Sequence, residues 1–100
     1  MTVPTWAPVP DNTIDVTNTY QVLCAVAHSG GTIQHQGPVG SGSLWVDVTG
    51  ATGTTRSTAA MEVVARASAA TGPGVYRFPP TKGAVTVYGP AGTTFQAFCG

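Results

Sequence analysis

The stretch YQVLCAVAH, residues 20–28, is the longest nearly unbroken apolar run in the chain, and it is followed by the turn signal SGG, residues 29–31. A short run that is apolar on both faces is typical of a strand buried inside a sheet. We therefore expect a strand here, at the centre of a small β domain. The pair Gly30-Gly31 predicts a hairpin from this strand into residues 32–36.

More segments of the same kind lie on both sides of this run, separated by glycine, proline and threonine. Residues 43–49 alternate cleanly, so that Leu44, Val46 and Val48 should face inward and the residues between them outward. The fold class is predicted to be mainly β, a small antiparallel β-sandwich or barrel. About seven strands are expected, at 13–17, 20–28, 32–36, 43–49, 75–78, 84–88 and 93–99.

Residues 58–70 fit either a strand or a helix. As a strand, Met61 and Val63 would share a face with two alanines; as a helix, Glu62 and Arg66 would form a favourable i,i+4 pair. The segment holds six alanines in thirteen residues, which favours one helix near 58–70.

The composition restricts the class of function. The chain has 100 residues, enough for one domain, which we place at 13–100 after an N-terminal arm at 1–12. Hydrophobic residues make up 42%, which argues against disorder. Only 8% of residues are charged, against roughly 25% in a typical soluble domain. Because no cluster of Lys and Arg exists, we expect no nucleic-acid partner.

The low charge also predicts association with other subunits. Exposed strand edges are usually protected by charge, lysine above all, and this chain has a single lysine, Lys82. We expect the edges and surface to be covered by other subunits in a homo-oligomer. The alternative is a monomer whose surface relies on Thr, Ser, Gln and Pro.

The N-terminus, MTVPTWAPVP, is predicted to be an extended Pro-rich arm. Its prolines restrict the backbone to extended or polyproline geometry. Trp6 lies in the middle of this arm and should dock either on its own domain or on a neighbouring subunit. Residues 11–17 follow, with Ile14 and Val16 on one face of a half-buried strand. The residues expected to contact a partner are Trp6, Pro8, Ile14, Val16 and Trp45.

No secretory signal or membrane span is expected. The first ten residues have no basic start and are interrupted by three prolines, and no apolar run approaches the roughly 18 residues of a span. Synthesis in the cytoplasm, with no membrane partner, is therefore predicted. Cys24 and Cys99 should then be reduced and buried, with a bridge between them as the open alternative.

No arrangement of residues in the sequence predicts catalysis, a metal site or a cofactor. Cys24, His28, His35 and Cys99 match no standard zinc spacing, and Cys24 and His28 would lie about 13 Å apart on a strand. The glycines of residues 37–42 lack the G-K-[ST] of a phosphate loop. Three of the four acids lie in or beside strands, where a solvated face explains them. We expect no enzyme.

Two cysteines with a tryptophan between them give the chain some likeness to an immunoglobulin domain. Trp45 stands late after Cys24, however, and Ala97 occupies the position two before Cys99 where that family has tyrosine. An immunoglobulin-like topology stays open, but a true immunoglobulin domain is not supported.

In overall character the chain resembles small accessory proteins of tailed-phage virions, above all capsid decoration (cement) proteins. The resemblance covers all 100 residues and consists of the Pro/Thr arm TVPTWAPVP, a Gly/Thr/Ala-rich β body and few charges. It implies a virion protein that binds the major capsid protein or other virion subunits, often as a trimer, with the arm adding a strand to a neighbour.

Two other functions are weighed beside this one. A phage tail or head–tail connector component would form rings. A carbohydrate- or ligand-binding β module would recognise its ligand through Trp45 and Tyr88. The aromatic residues Tyr76, Phe78 and Tyr88 are expected to supply core rather than interface area.

Overall fold

The protein folds as two antiparallel sheets packed face to face. A computed structural model describes residues 13–68 and 70–100, with the backbone of Ala7 and Pro8. The described residues form eight strands and no helix. The strands are β1 (Ala7–Pro8), β2 (Gln21–Cys24), β3 (Gly31–His35), β4 (Leu44–Asp47), β5 (Met61–Val63), β6 (Val75–Phe78), β7 (Val85–Tyr88) and β8 (Phe95–Cys99).

The strand order identifies the architecture. One sheet has the order β1-β8-β3-β6 and the other β2-β7-β4-β5, with every pair antiparallel. Consecutive strands from β1 to β4 therefore alternate between the two sheets, as they do in an eight-stranded jelly roll. The predicted mainly β sandwich is confirmed, with jelly-roll rather than immunoglobulin topology. Within the described residues, no helix is long and apolar enough to cross a membrane.

The core lies between the two sheets and follows the period of two along each strand. In β4, Leu44 and Val46 are fully buried, as the alternation predicted. In β7, the neighbouring strand of the same sheet, Val85 and Val87 are fully buried on the same face. Ile33 on β3 and Phe95 on β8 fill the core from the other sheet. Phe78 is buried, and Tyr76 packs against the core, as expected. The same expectation is wrong for Tyr88, which is half-buried on the outer face beside Trp45.

The expected central strand at 20–28 is wrong. Only Gln21–Cys24 is a strand, and it forms the edge of its sheet, with β7 as its one partner. A bulge between Val22 and Cys24 interrupts its register, and Val22 is 62% exposed. The Gly30-Gly31 hairpin is also wrong, because β2 and β3 belong to different sheets. The central strands are β8 and β3 in one sheet and β7 and β4 in the other.

The strand expected at 13–17 does not form. Thr13 makes a single bridge to Thr94, and Ile14 then binds the 89–94 loop, donating to the Thr93 carbonyl at 2.9 Å. Ile14 is buried, whereas Val16 is 59% exposed, so the two side chains do not share a buried face. The segment is a loop that packs the Ile14 side chain into the core and leaves Val16 exposed.

The helix favoured near 58–70 is wrong as well. Met61–Val63 pairs with β4 instead, and residues 64–68 have no regular structure. Val63 is fully buried, whereas the next residue, Val64, is 51% exposed, as the period of two in a strand requires. Helix propensity is a weak preference that pairing and burial override. Pairing with β4 and the burial of Val63 stabilise the strand by more than the helix propensity of the alanines stabilises a helix.

The two cysteines are paired, which corrects the expectation that both are reduced. Cys24 on β2 and Cys99 on β8 have Cα atoms 6.1 Å apart and form a disulfide across the two sheets. Their chain positions are 75 residues apart, so the sequence could not show that the sheet packing places them face to face. The bridge ties the last strand to the opposite sheet.

We expect the double substitution C24A/C99A to lower the free energy of unfolding by about 4 kcal/mol, because a bridge closing so long a loop removes chain entropy from the unfolded state. Denaturant unfolding of the oxidised protein and of the variant measures the difference, with the reduced native chain as control. Two titratable thiols per chain in denaturant without reductant would contradict the bridge.

A close approach between β5 and β6 depends on a glycine. A Cβ added at Gly74 would overlap the Val64 carbonyl oxygen, whereas one added at Gly72 would meet nothing. Gly74→Ala should therefore cost about 2 kcal/mol of stability, because backbone must move. The matched control Gly72→Ala should stay within about 0.5 kcal/mol. Equal thermal melting of the two variants would refute this packing.

Candidate functional site

Residues 48–60, which connect β4 to β5, lie across the outer face of the β2-β7-β4-β5 sheet. The Tyr88 hydroxyl donates to the Thr54 carbonyl, and the Tyr20 hydroxyl accepts from the Ser57 amide at 2.8 Å. Arg56 places its guanidinium carbon 3.9 Å from the centre of the Trp45 ring, a cation–π contact. Residues 48–60 therefore cover part of this outer face, including the ring of Trp45.

Asp47 anchors the start of this covering segment. Its Oδ1 accepts from the Thr49 amide at 2.7 Å, from the Thr49 hydroxyl, and from the Ala51 amide at 3.2 Å. The side chain has no exposed surface, and its Oδ2 is buried with no hydrogen-bond partner among the described residues. This corrects the expectation that Asp47 lies on a solvated face.

The charge state of Asp47 follows from these contacts. Burial raises the pKa of its carboxyl, but the hydrogen bonds from Thr49 and Ala51, with the nearby Ser57 hydroxyl, lower it by more. The pKa of Asp47 therefore lies below its ordinary value of 3.8. At neutral pH the carboxylate is ionised and holds the loop through charge-assisted hydrogen bonds.

His35, at the end of β3, organises the loop that follows. Its ring is fully buried; Nδ1 accepts from the Gly37 amide at 3.0 Å, and Nε2 lies 2.8 Å from the Gly42 carbonyl. Because Nδ1 accepts from Gly37, Nε2 is the nitrogen that donates to the Gly42 carbonyl. Both nitrogens are used within the loop, so His35 is a structural residue. His28, by contrast, is exposed.

The described surface includes shallow grooves. One has a volume of about 310 Å³ at the end of the sandwich, between the 36–42 and 89–94 loops, and is lined by glycine, proline, alanine, serine and threonine. Another, of about 370 Å³, lies beside Arg77 and Phe78 at the far end of β6. Neither groove brings charged side chains together. No group of three His, Cys, Asp or Glu in the described part of the chain could hold a metal ion.

The residues expected to contact a partner are not brought together. Trp6 lies outside the described residues, and Pro8 is described only as backbone, where its β1 pairs with Phe98. Ile14 is buried in the core, and Val16 is exposed on the loop after it. Trp45 is half-buried under Arg56.

The edge formed by β5 and β6 is the surface that sequence reasoning missed. These strands end their respective sheets on one side of the sandwich, and we call this surface the β5–β6 side. It carries three of the six exposed large apolar residues of the described chain, Met61, Val64 and Val75. Glu62 beside Val63 and Arg77 beside Phe78 are visible in the sequence, but an edge is a property of the sheet order.

Asp47 was missed for a related reason, since its burial depends on a loop returning over it. The signal in the sequence is the run Asp47-Val48-Thr49-Gly50, because Asp two residues before a donor, with glycine next, is a common turn pattern. Gly50 has φ +79°, as such a turn requires.

In comparisons with protein-family models, curated proteins and solved structures, nothing matches this chain significantly.

We expect Asp47→Ala to cost about 3 kcal/mol of stability, because three donors lose their acceptor in a buried place. Asp47→Asn should cost about 1 kcal/mol, since its amide oxygen can still accept while the charge is lost. Chemical denaturation at neutral pH measures both. Equal stability of Asp47→Ala and the native chain would contradict the anchoring role.

The ionisation of Asp47 predicts that the free energy of unfolding decreases at acid pH. Because the folded state lowers the pKa of Asp47, its stabilising effect is complete above the ordinary value of 3.8 and is lost as pH falls through the lower, folded-state value. The native chain should therefore lose stability below about pH 4, and Asp47→Asn should lose less over the same range. Parallel acid profiles for the two proteins would show that another group is responsible.

Proposed function

We propose that this protein is a structural virion component that binds an assembled phage capsid and stabilises it, as a decoration or minor capsid protein. The observation that carries the proposal is the strand order β1-β8-β3-β6 and β2-β7-β4-β5. Virus capsid proteins use this jelly-roll arrangement, as do lectins and cupins. A fold alone does not assign a function, so the surface has to decide among these classes.

The surface favours assembly. The chain has four basic and four acidic residues in 100, and large apolar side chains are exposed on the β5–β6 side. A protein with so little surface charge gains from being covered by neighbours. In this proposal the partners are the major capsid protein or other virion subunits, together with further copies of the chain. The chain would be made in the host cytoplasm and act in the virion.

The disulfide agrees with that destination. Disulfides persist outside the reducing cytosol, and Cys24–Cys99 would form and remain in a virion released from its host. The bridge fixes β8 to the opposite sheet. A clamp on a capsid has to resist mechanical load, and this cross-link serves that purpose.

The carbohydrate-binding alternative is weakened by what covers its aromatic residues. A sugar stacks on a free aromatic face, but Arg56 lies over the Trp45 ring. Tyr88 packs on Tyr20 with ring centres 4.9 Å apart, and its hydroxyl is bound to Thr54. A ligand at this site would first have to displace residues 48–60. A tail or head–tail connector component remains the alternative within the structural class.

The test is binding to capsid shells purified from the phage whose genome encodes the chain. We expect the full-length chain to sediment with shells. A chain lacking residues 1–12 should stay folded, since of the described strands it loses only the edge strand β1, but it should lose this binding, because the arm around β1 is proposed to reach a neighbour. Trp6→Ala should weaken binding in the same direction.

Three outcomes separate the possibilities. No sedimentation of the full-length chain with shells would refute the capsid proposal. Equal binding by the truncated chain would refute only the role of the arm and would leave the capsid proposal in place. Rings of the isolated chain would favour the connector, and binding to a glycan array without shells would favour the carbohydrate module.

A further inference from the structure

The two sides of the sandwich are protected to different degrees. On one side, β1 includes Pro8, and β2 carries the bulge at Val22. Proline and bulges both discourage pairing with another chain. On the β5–β6 side, the pairings of β5 with β4 and of β6 with β3 are regular, with no bulge. This side is the one suited to pairing.

We propose that the β5–β6 side binds a second copy of this chain across a two-fold axis that runs along the strands. Such an axis places β5 of one copy beside β6 of the other, twice in the same interface. Strands that follow one another across a jelly roll run in opposite directions, so the two edges pair antiparallel. Each sheet of one copy then continues into the opposite sheet of its partner.

The register of this pairing follows from the structure of one copy. Rotation about an axis along the strands leaves every residue at its own height. Within a copy, Gly74 lies against the backbone of Val64, so these two residues are at nearly the same height and Val75 is one residue further along. Across the axis, Val64 therefore lies opposite the partner's Gly74 or Val75. Only the pairing with Val75 matches the inward and outward faces of the two strands, and three residues further along it places Met61 opposite the partner's Phe78.

The faces of the strands agree with this register. Val63 pairs with Leu44 and Tyr76 with Ile33, so both point inward; Glu62 pairs with Trp45, so it points outward. The register places inward residues opposite inward ones and outward residues opposite outward ones, as a continuous sheet requires. The resulting cross-strand pairs are Met61–Phe78, Glu62–Arg77, Val63–Tyr76 and Val64–Val75.

The charges on the β5–β6 side indicate that its partner is a second copy of the chain. Glu62 is exposed on β5, where its carboxylate accepts from the Ser43 hydroxyl at 2.7 Å, and Arg77 is exposed on β6. The register puts these opposite charges side by side at both halves of the interface, while the exposed valines and Met61 meet apolar partners. Opposite charges and apolar pairs across strands are each favourable. A surface that is complementary to itself under rotation indicates an isologous dimer.

This inference does not rest on capsid binding, since it concerns the isolated chain. It also replaces the trimer implied by the resemblance with a two-fold pair. The test is the molar mass of the purified, oxidised chain by sedimentation equilibrium over a range of concentrations. We expect a transition from 10.1 kDa to twice that value.

A matched pair of lysine substitutions locates the surface. Val75→Lys should raise the dimer dissociation constant at least about tenfold, because a charge enters an apolar pair twice. Val22→Lys alters an equally exposed valine, 62% against 56%, on the opposite side and should leave the constant unchanged. Thermal melts of both variants show that they are folded.

A charge exchange tests the register. Glu62→Arg and Arg77→Glu should each weaken the dimer, and E62R/R77E should recover most of the native affinity because opposite charges face each other again. A monomer at concentrations up to about 1 mM, where even weak pairs associate, would overturn the proposal. So would a trimer, equal effects of the two lysine variants, or a double charge variant no tighter than the single ones.

Discussion

The structure depends on the burial of one apolar layer between two four-stranded sheets. Ile33, Leu44, Val46, Val85 and Val87 have no exposed surface, and they come from the central strands of both sheets. Because strands of four or five residues have little area to bury, neither sheet would be stable without the other. The jelly-roll order lets the chain cross between sheets repeatedly, and the Cys24–Cys99 bridge adds one covalent crossing.

The same order determines where the polar residues act. The connections gather at the ends and over one outer face, where buried polar groups must find partners. Asp47 and His35 supply them, one holding the segment that covers Trp45 and the other shaping the 36–42 loop. The hydrogen bonds of these two side chains hold loops in place. The surfaces that we propose for partners are the edges of the sheets.

Local pattern predicted much of the fold. The alternation at 43–49 gave the inward positions of β4, and the turn residues bounded β6, β7 and β8 nearly as observed. What failed depended on distant pairing. An apolar run such as 20–28 has the same pattern whether its strand lies at the edge or in the centre of a sheet. The alanines at 58–70 favour a helix, but pairing of this segment with β4 forms a strand instead. Strand order in the sheets determines the cysteine bridge, the burial of Asp47 and the β5–β6 side. The hydrophobic periodicity of the sequence contains no information about that order.

Our central claim is that this jelly roll acts as an assembly unit through its edges and arm. Amide hydrogen exchange of the free chain and of the shell-bound chain tests this claim most directly, because it reports protection residue by residue. We predict that β3, β4, β7 and β8 are protected in both states, while residues 1–12 gain protection on the shell. Unchanged exchange in residues 1–12, with new protection confined to the groove between the 36–42 and 89–94 loops, would contradict the claim.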